Sequence, residues 1–194
     1  MCCDDGNLVP DDGCNIACKR DALFVFVSNE AFPITMLGSL LAADAHCMEM
    51  AKAGQQIPDV ARNSSYDTWL SDGVTHAGVR LGTSTLPYRR TDFVVVAAST
   101  LDLVNNRTEL SAPINRDQHG GTNPGGGDDC GSIGVWTGSH WDGVSTMADC
   151  SKWMSPIVAT KATVGNAFAT DDGWSVRTEC TCNLALRLYC FEVP

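Results

Sequence analysis

Ten cysteines constrain this chain more than any other feature, because each must find a use before a fold can be drawn. A metal-binding role fits their spacing poorly. No C-x-x-C occurs, and His46, His76, His119 and His140 are scattered, with no H-x-H or H-x-x-x-H pair. An even count without ligand spacing reads instead as five disulfides in an oxidising compartment. Met1 stands directly before Cys2 with no basic or apolar leader, so a secretion signal is expected upstream of this sequence.

A chain of 194 residues is long enough to bury a real core in one domain with ornaments. Its net charge of −10 argues against nucleic acid, which demands a basic footprint to displace counterions. The same charge disfavours anionic membrane surfaces and sulfated polysaccharides. No apolar run approaches the roughly 20 residues of a membrane span, so no transmembrane segment is expected.

Structure is expected to begin at Ala22, where LFVFVS is short and rich in Val and Phe, as a buried strand is. In LGSLLAADAHCMEMAKAG the apolar residues Leu40, Ala43, Cys47 and Met50 recur at helical spacing. Ser39 can cap the start and Gly54 the end, which predicts a helix over 39–53. A helical or turn-like stretch is expected over 58–70 and a strand over 92–98. From Pro113 to Gly134 glycine and polar residues dominate without a period, predicting a long surface loop, the kind of segment that carries binding. A second loop is expected over 155–173, then strand-like pieces in GWSVRTECTC and LALRLYCFE. The pattern is α+β.

Six segments occur in a distinctive order: ADAHC, TWLSDG, LSAPIN, VWTGSHWDG, DCSKWMS and LRLYCFE. That ordered set resembles the bacterial endostatin-like, C-type-lectin-like domains of leptospiral surface proteins and myxobacterial secreted proteins. It is similar, more distantly, to the endostatin domain of collagens XV and XVIII. The resemblance covers residues 22–193 and implies a C-type-lectin-like fold with two nested disulfides. On the matching positions these are Cys47–Cys190, from the first helix to the last strand, and Cys150–Cys182. Cys130 and Cys180 remain, and a third bond between them, outside the endostatin pattern, would clip the glycine-rich loop.

Residues 1–20 resemble something else. CDDGNLVPDDGCNIAC is similar to the second half of the cysteine-rich repeats of myxobacterial secreted proteins. Two local bonds are expected there, Cys3–Cys14 with Cys2–Cys18 being one of three possible pairings. The division is thus a partial repeat over 1–20 and an endostatin-like domain over 21–194.

Two acidic groups invite a calcium reading. Asp4, Asp5, Asn7, Asp11 and Asp12 crowd five oxygen donors together, yet not at EF-hand spacing, and Asp-Gly turn chemistry accounts for the same letters. Asp117, Asn123, Asp128 and Asp129 lie where C-type lectins build their sugar-binding calcium site. The lectin Glu-Pro-Asn motif is missing, however, and a flexible acidic loop is the plainer account. Among the tryptophans, Trp69, Trp136, Trp153 and Trp174 are expected in the core. Trp141, between His140 and the turn Asp142-Gly143, is expected either to be exposed enough to stack on a sugar or anchor a protein, or to cover the glycine-rich loop.

Catalysis has little to stand on. Ser139, His140 and Asp142 are neighbours in sequence, whereas a triad needs them converging in space from separate elements beside an oxyanion hole. There is no G-x-S-x-G elbow or nucleotide-binding glycine motif. Heparin binding does not carry over either, since Arg80, Arg89, Arg90, Arg107 and Arg116 are too few, nor does zinc binding, since KRDALF lacks histidine. The expectation is a non-enzymatic binding domain of adhesin or receptor type, extracellular or on a bacterial surface. It would take a protein or glycan through the 113–143 loops, with His140, Trp141, Asp142 and Asn123 as candidate contacts. The alternatives are a structural module of a larger surface protein and a calcium-dependent lectin.

Overall fold

The computed structural model describes residue 14 and residues 19–105, 109–122 and 127–194. Its centre is β1 (Leu23–Val27), buried along all five residues. Side chains alternate across a strand, and here both faces are covered. Phe24 and Phe26 enter one core, while Leu23, Val25 and Val27 enter a second. β10 (Tyr189–Glu192) runs antiparallel to β1, with Val25 opposite Phe191. Its alternation sends Tyr189 and Phe191 into the second core and Cys190 into the first.

The other strands build outward from this pair. β4 (Tyr88–Arg89) lies parallel to β1, and β5 (Val95–Ala97) antiparallel to β4. β3 (Tyr66–Thr68) pairs with the far edge of β10, giving the order β3-β10-β1-β4-β5. A short β2 (Phe32–Pro33) leads into α1 (Ile34–Leu37) and pairs with β9 (Ala185–Leu186). A third sheet joins β6 (Gly134–Trp136), β7 (Lys161–Asn166) and β8 (Thr178–Thr181), all antiparallel.

The long helix forms where capping and periodicity place it. α2 (Leu40–Ala53) starts at Ser39, whose hydroxyl accepts from the Ala42 amide at 3.1 Å, and stops at Gly54. It buries Ala43, Cys47, Met50 and Ala51. Cys47 is bonded to Cys190, which nails the helix to the central sheet. Cys130–Cys180 ties the start of the third sheet to β8, and Cys150–Cys182 ties the turn before β7 to the end of β8. The last bond spans 32 residues and restricts the unfolded chain by about 3–4 kcal/mol in the entropic account. These are the three pairs named from the sequence. Cys14 is also disulfide-bonded. Cys2, Cys3 and Cys18, with Asp4, Asp5, Asn7, Asp11, Asp12, Asn123 and Arg107, lie outside the described residues. Among the described residues no helix is long and apolar enough to cross a membrane.

Three expectations need correction. The 58–70 stretch is helical only at α3 (Asp59–Arg62) and then becomes β3. The 92–98 strand shortens to Val95–Ala97 because the chain turns at Phe93, where φ is +65°. The loop assigned to 155–173 contains β7, the middle strand of the third sheet. Val164 is the only large apolar residue of KATVGN. At Gly165 a Cβ would lie 1.9 Å from the Trp174 carbonyl oxygen, so another backbone occupies the space a side chain would need.

One ion pair anchors the sheet's end. Arg20 Nη2 lies 2.7 Å from both carboxylate oxygens of Glu192 and 2.9 Å from the Ala22 carbonyl. Glu192 is 1% exposed and also accepts from the Phe24 amide at 2.9 Å. Burial pushes its carboxyl up, Arg20 pulls it down, and the net position is above the ordinary 4.5. A carboxyl raised on folding contributes fully below its unfolded pKa and progressively less as pH rises through the folded value. Arg20→Ala should therefore lower stability by about 3 kcal/mol at neutral pH, because a buried carboxylate loses its partner. The loss should shrink in acid, where Glu192 is protonated. Urea unfolding of both proteins at neutral and acidic pH measures this, and a pH-independent loss would contradict it.

Candidate binding face around Trp141

β6 runs into a hairpin whose tip is His140-Trp141-Asp142-Gly143. The turn is closed by Gly143 N to His140 O at 3.0 Å and His140 N to Val144 O at 2.8 Å. Asp142 is used locally, its Oδ1 accepting from the Val144 amide at 3.0 Å. The hairpin packs backbone to backbone against α4 (Ala77–Arg80), with Gly78 N donating to Gly143 O at 3.3 Å. A Cβ on Gly143, whose φ is +77°, would sit 2.3 Å from Gly78 N. Glycine is required at both positions by this approach.

Beneath the tip lies a buried set of hydroxyls. Ser71 Oγ accepts from the Ala77 amide at 2.9 Å and lies 2.7 Å from Ser139 Oγ, which donates to Thr137 O at 2.9 Å. Ser175 Oγ accepts from Trp69 Nε1 at 2.7 Å and sits 3.0 Å from the carbonyl oxygens of Ser139 and His140. Trp153 Nε1 donates to Ser71 O at 2.9 Å. Buried polar groups left unpaired would each cost about 1–3 kcal/mol, so this network holds the hairpin in one position. The four core tryptophans, Trp69, Trp136, Trp153 and Trp174, are all buried. Ser139 is committed to the network and buried, so Ser139, His140 and Asp142 do not assemble as a triad.

Trp153 is brought there by an unusual turn. Cys150, Ser151, Lys152 and Trp153 all have positive φ, between +51° and +64°, forming one left-handed helical turn. Asp149 Oδ1 accepts from the Lys152 amide at 3.0 Å, and Cys150 and Trp153 are buried at its two ends. Nearby Asp72 accepts from the Val74 and Thr75 amides at 3.1 and 2.7 Å. Burial alone would raise the Asp72 carboxyl, but those amides and the Lys152 charge outweigh it and hold the group below its usual range.

Trp141 is half-buried, more enclosed than its sequence context suggests. Its ring borders a narrow cleft with Asp102 of α5 (Thr100–Asn105), Glu109, Asp171, Asp172 and Trp174. The cleft shares Glu109 and Asp171 with a shallow trough of about 370 Å³ that adds Phe168, Asn166 and Arg177. Asp129 reaches the trough wall, accepting from Asn166 Nδ2 at 2.7 Å and pairing with Arg177 at 3.5 Å. The accessible part of an indole beside carboxylates can stack on a sugar ring whose hydroxyls the acids accept, or take an apolar or cationic side chain. Glu109, Phe168, Asp171 and Arg177 were not singled out from sequence. The acidic pair beside Trp174 in TDDGW was the available signal.

The remaining candidates are dispersed. His140 is exposed at the hairpin tip. Asp117 is occupied by its own loop, Oδ1 accepting from the His119 and Gly121 amides at 2.8 and 2.9 Å. Asp128 is exposed on the glycine-rich loop. Among the described residues no three His, Cys, Asp or Glu side chains are grouped as a metal would need. The arginines are largely neutralised, Arg80 by Asp44, and Arg90 and Arg116 by Asp92.

No protein-family model matches the chain, and no curated protein shows significant similarity to it.

The left-handed turn generates a prediction with an unusual sign. A Cβ in this conformation costs roughly 1–2 kcal/mol, and glycine returns part of that through its freer unfolded chain. Lys152, whose side chain is exposed, should gain about 0.5–1 kcal/mol on replacement by glycine. In an ordinary helix the same exchange loses stability. Thermal unfolding with disulfides intact distinguishes the two signs.

Proposed function

We propose that this chain is a non-catalytic binding domain displayed outside the cytosol, taking an extracellular protein or glycan on the face centred on Trp141. The observation that carries this reading is the half-buried indole of Trp141, on a hairpin held by a buried hydroxyl network at the edge of an acidic cleft. A rigid aromatic platform loses little entropy on contact, which is why tryptophan dominates binding hot spots. The three disulfides favour an oxidising location. An α+β arrangement with a helix-to-final-strand disulfide is compatible with the endostatin-like variant of the C-type-lectin-like fold, and we adopt that fold as part of the proposal.

The test is a glycan and matrix-protein array probed with the chain and with Trp141→Ala, each with and without EDTA. The variant should lose at least about tenfold in affinity for whatever the parent binds while its unfolding midpoint stays close to the parent's. Binding is expected to survive EDTA. Retained binding by Trp141→Ala would remove this face from the reading, and loss in EDTA would favour the calcium-dependent lectin.

A further inference from the structure

A second concavity shares no lining residue with the cleft beside Trp141. One wall is a single face of α2, where His46, Glu49, Met50 and Ala53 recur at i, i+3, i+4 and i+7. The opposite wall is Asn29 and Glu30, which follow β1, with Gln118 and His119 from the 113–122 segment. The groove encloses about 300 Å³, room for one long side chain.

Its walls are fixed. Gln118 is 3% exposed, accepts from the Asn29 amide at 3.2 Å and donates to Asn29 Oδ1 at 2.7 Å. Its carbonyl accepts from the Gln56 amide at 3.2 Å, and a Cβ on Gly54 would meet that same oxygen at 2.8 Å. The floor is apolar, made by the buried Phe32 and Met50. The His46 ring lies 4.8 Å from the Phe32 ring, and its Nε2 faces the Met36 carbonyl at 3.1 Å. Only a protonated nitrogen can satisfy that carbonyl, which leaves Nδ1 as the acceptor of the neutral ring.

The chemistry of the rim is one-sided. Glu30 and Glu49 line it, neither has an ion-pair partner among the described residues, and no Lys or Arg lines the groove. The last turn of α2, whose terminal carbonyls carry partial negative charge, borders it as well. We infer that this groove is a binding site for an organic cation, a guanidinium or alkylammonium group. Its apolar stem would lie on Phe32 and Met50 while its charge meets Glu30 and Glu49. The same chemistry is offered by a free amine and by an arginine or lysine side chain of a protein partner.

The experiment follows the histidine-ring and methionine-methyl NMR signals of the intact, disulfide-bonded chain. The probes are N-acetyl-arginine methylamide, N-acetyl-lysine methylamide and the uncharged N-acetyl-norleucine methylamide. The cationic amides should shift the His46 and Met50 signals saturably in roughly the millimolar range, and norleucine should bind about tenfold more weakly or worse. Glu49→Gln, a change at an exposed helix position, should weaken the cations about fivefold and leave norleucine unchanged. An arginine-bearing decapeptide separates the two sources. Binding about tenfold tighter than the amide assigns the groove to a protein side chain, and equal binding assigns it to a small free amine. Absence of saturable shifts, equal binding of norleucine, or indifference to a Glu30→Gln, Glu49→Gln double variant would overturn the inference. None of these outcomes touches Trp141, so this site stands or falls independently of the proposed function.

Discussion

The antiparallel pairing of β1 with β10 is the contact from which the rest of the structure is hung. Both strands are covered on two faces, so their alternation divides the apolar side chains between two cores instead of separating core from solvent. Cys190 follows from that alternation: it points toward α2 because Tyr189 and Phe191 point away. The bond to Cys47 then fixes the helix over the sheet. Arg20 secures the strand's end by pairing with Glu192, a carboxylate that the geometry forces inside.

That scaffold explains how irregular segments hold defined shapes. The hairpin carrying Trp141 is braced from beneath by polar contacts. Its position comes from buried hydroxyls and indole N–H groups contributed by distant parts of the chain, Ser71, Ser175, Trp69 and Trp153. Networks of this kind specify one arrangement strongly, because each partner lost leaves another unsatisfied. The two candidate faces use the scaffold differently. Trp141 sits on a turn braced from below, whereas the α2 groove borrows the regular spacing of a helix.

Much of the fold could be read from local chemistry. LFVFV has no other plausible state than a buried strand, and Ser39 and Gly54 bound α2 through the cap and stop that the sequence offers. What stayed illegible depends on neighbours far along the chain. β7 is poor in strand-forming apolar residues and is a strand because β6 and β8 flank it and Trp174 crosses Gly165. β3 is only three residues long after a short helix and the Asn63-Ser64-Ser65 turn, and is defined as a strand by β10. At the candidate site, Trp141 was recognisable from the adjoining Asp-Gly turn. The carboxylates beside it come from three separate segments that no spacing rule connects. The left-handed turn at Cys150–Trp153 has no sequence signature at all, since none of its residues is glycine or asparagine.

The pairing of β1 with β10 also bears on when the domain can exist. The most apolar strand is made well before its antiparallel neighbour, since Val25 pairs with Phe191 far along the sequence. Cys47 likewise waits across 143 residues for Cys190. Contacts of such long range are slow to form and leave hydrophobic segments uncovered in the meantime. A ribosome-bound or shortened chain would present LFVFV without a mate, a sticky ribbon open to any passing edge. Closure of the central sheet therefore waits on β10, and β1 is a liability until that strand has been made.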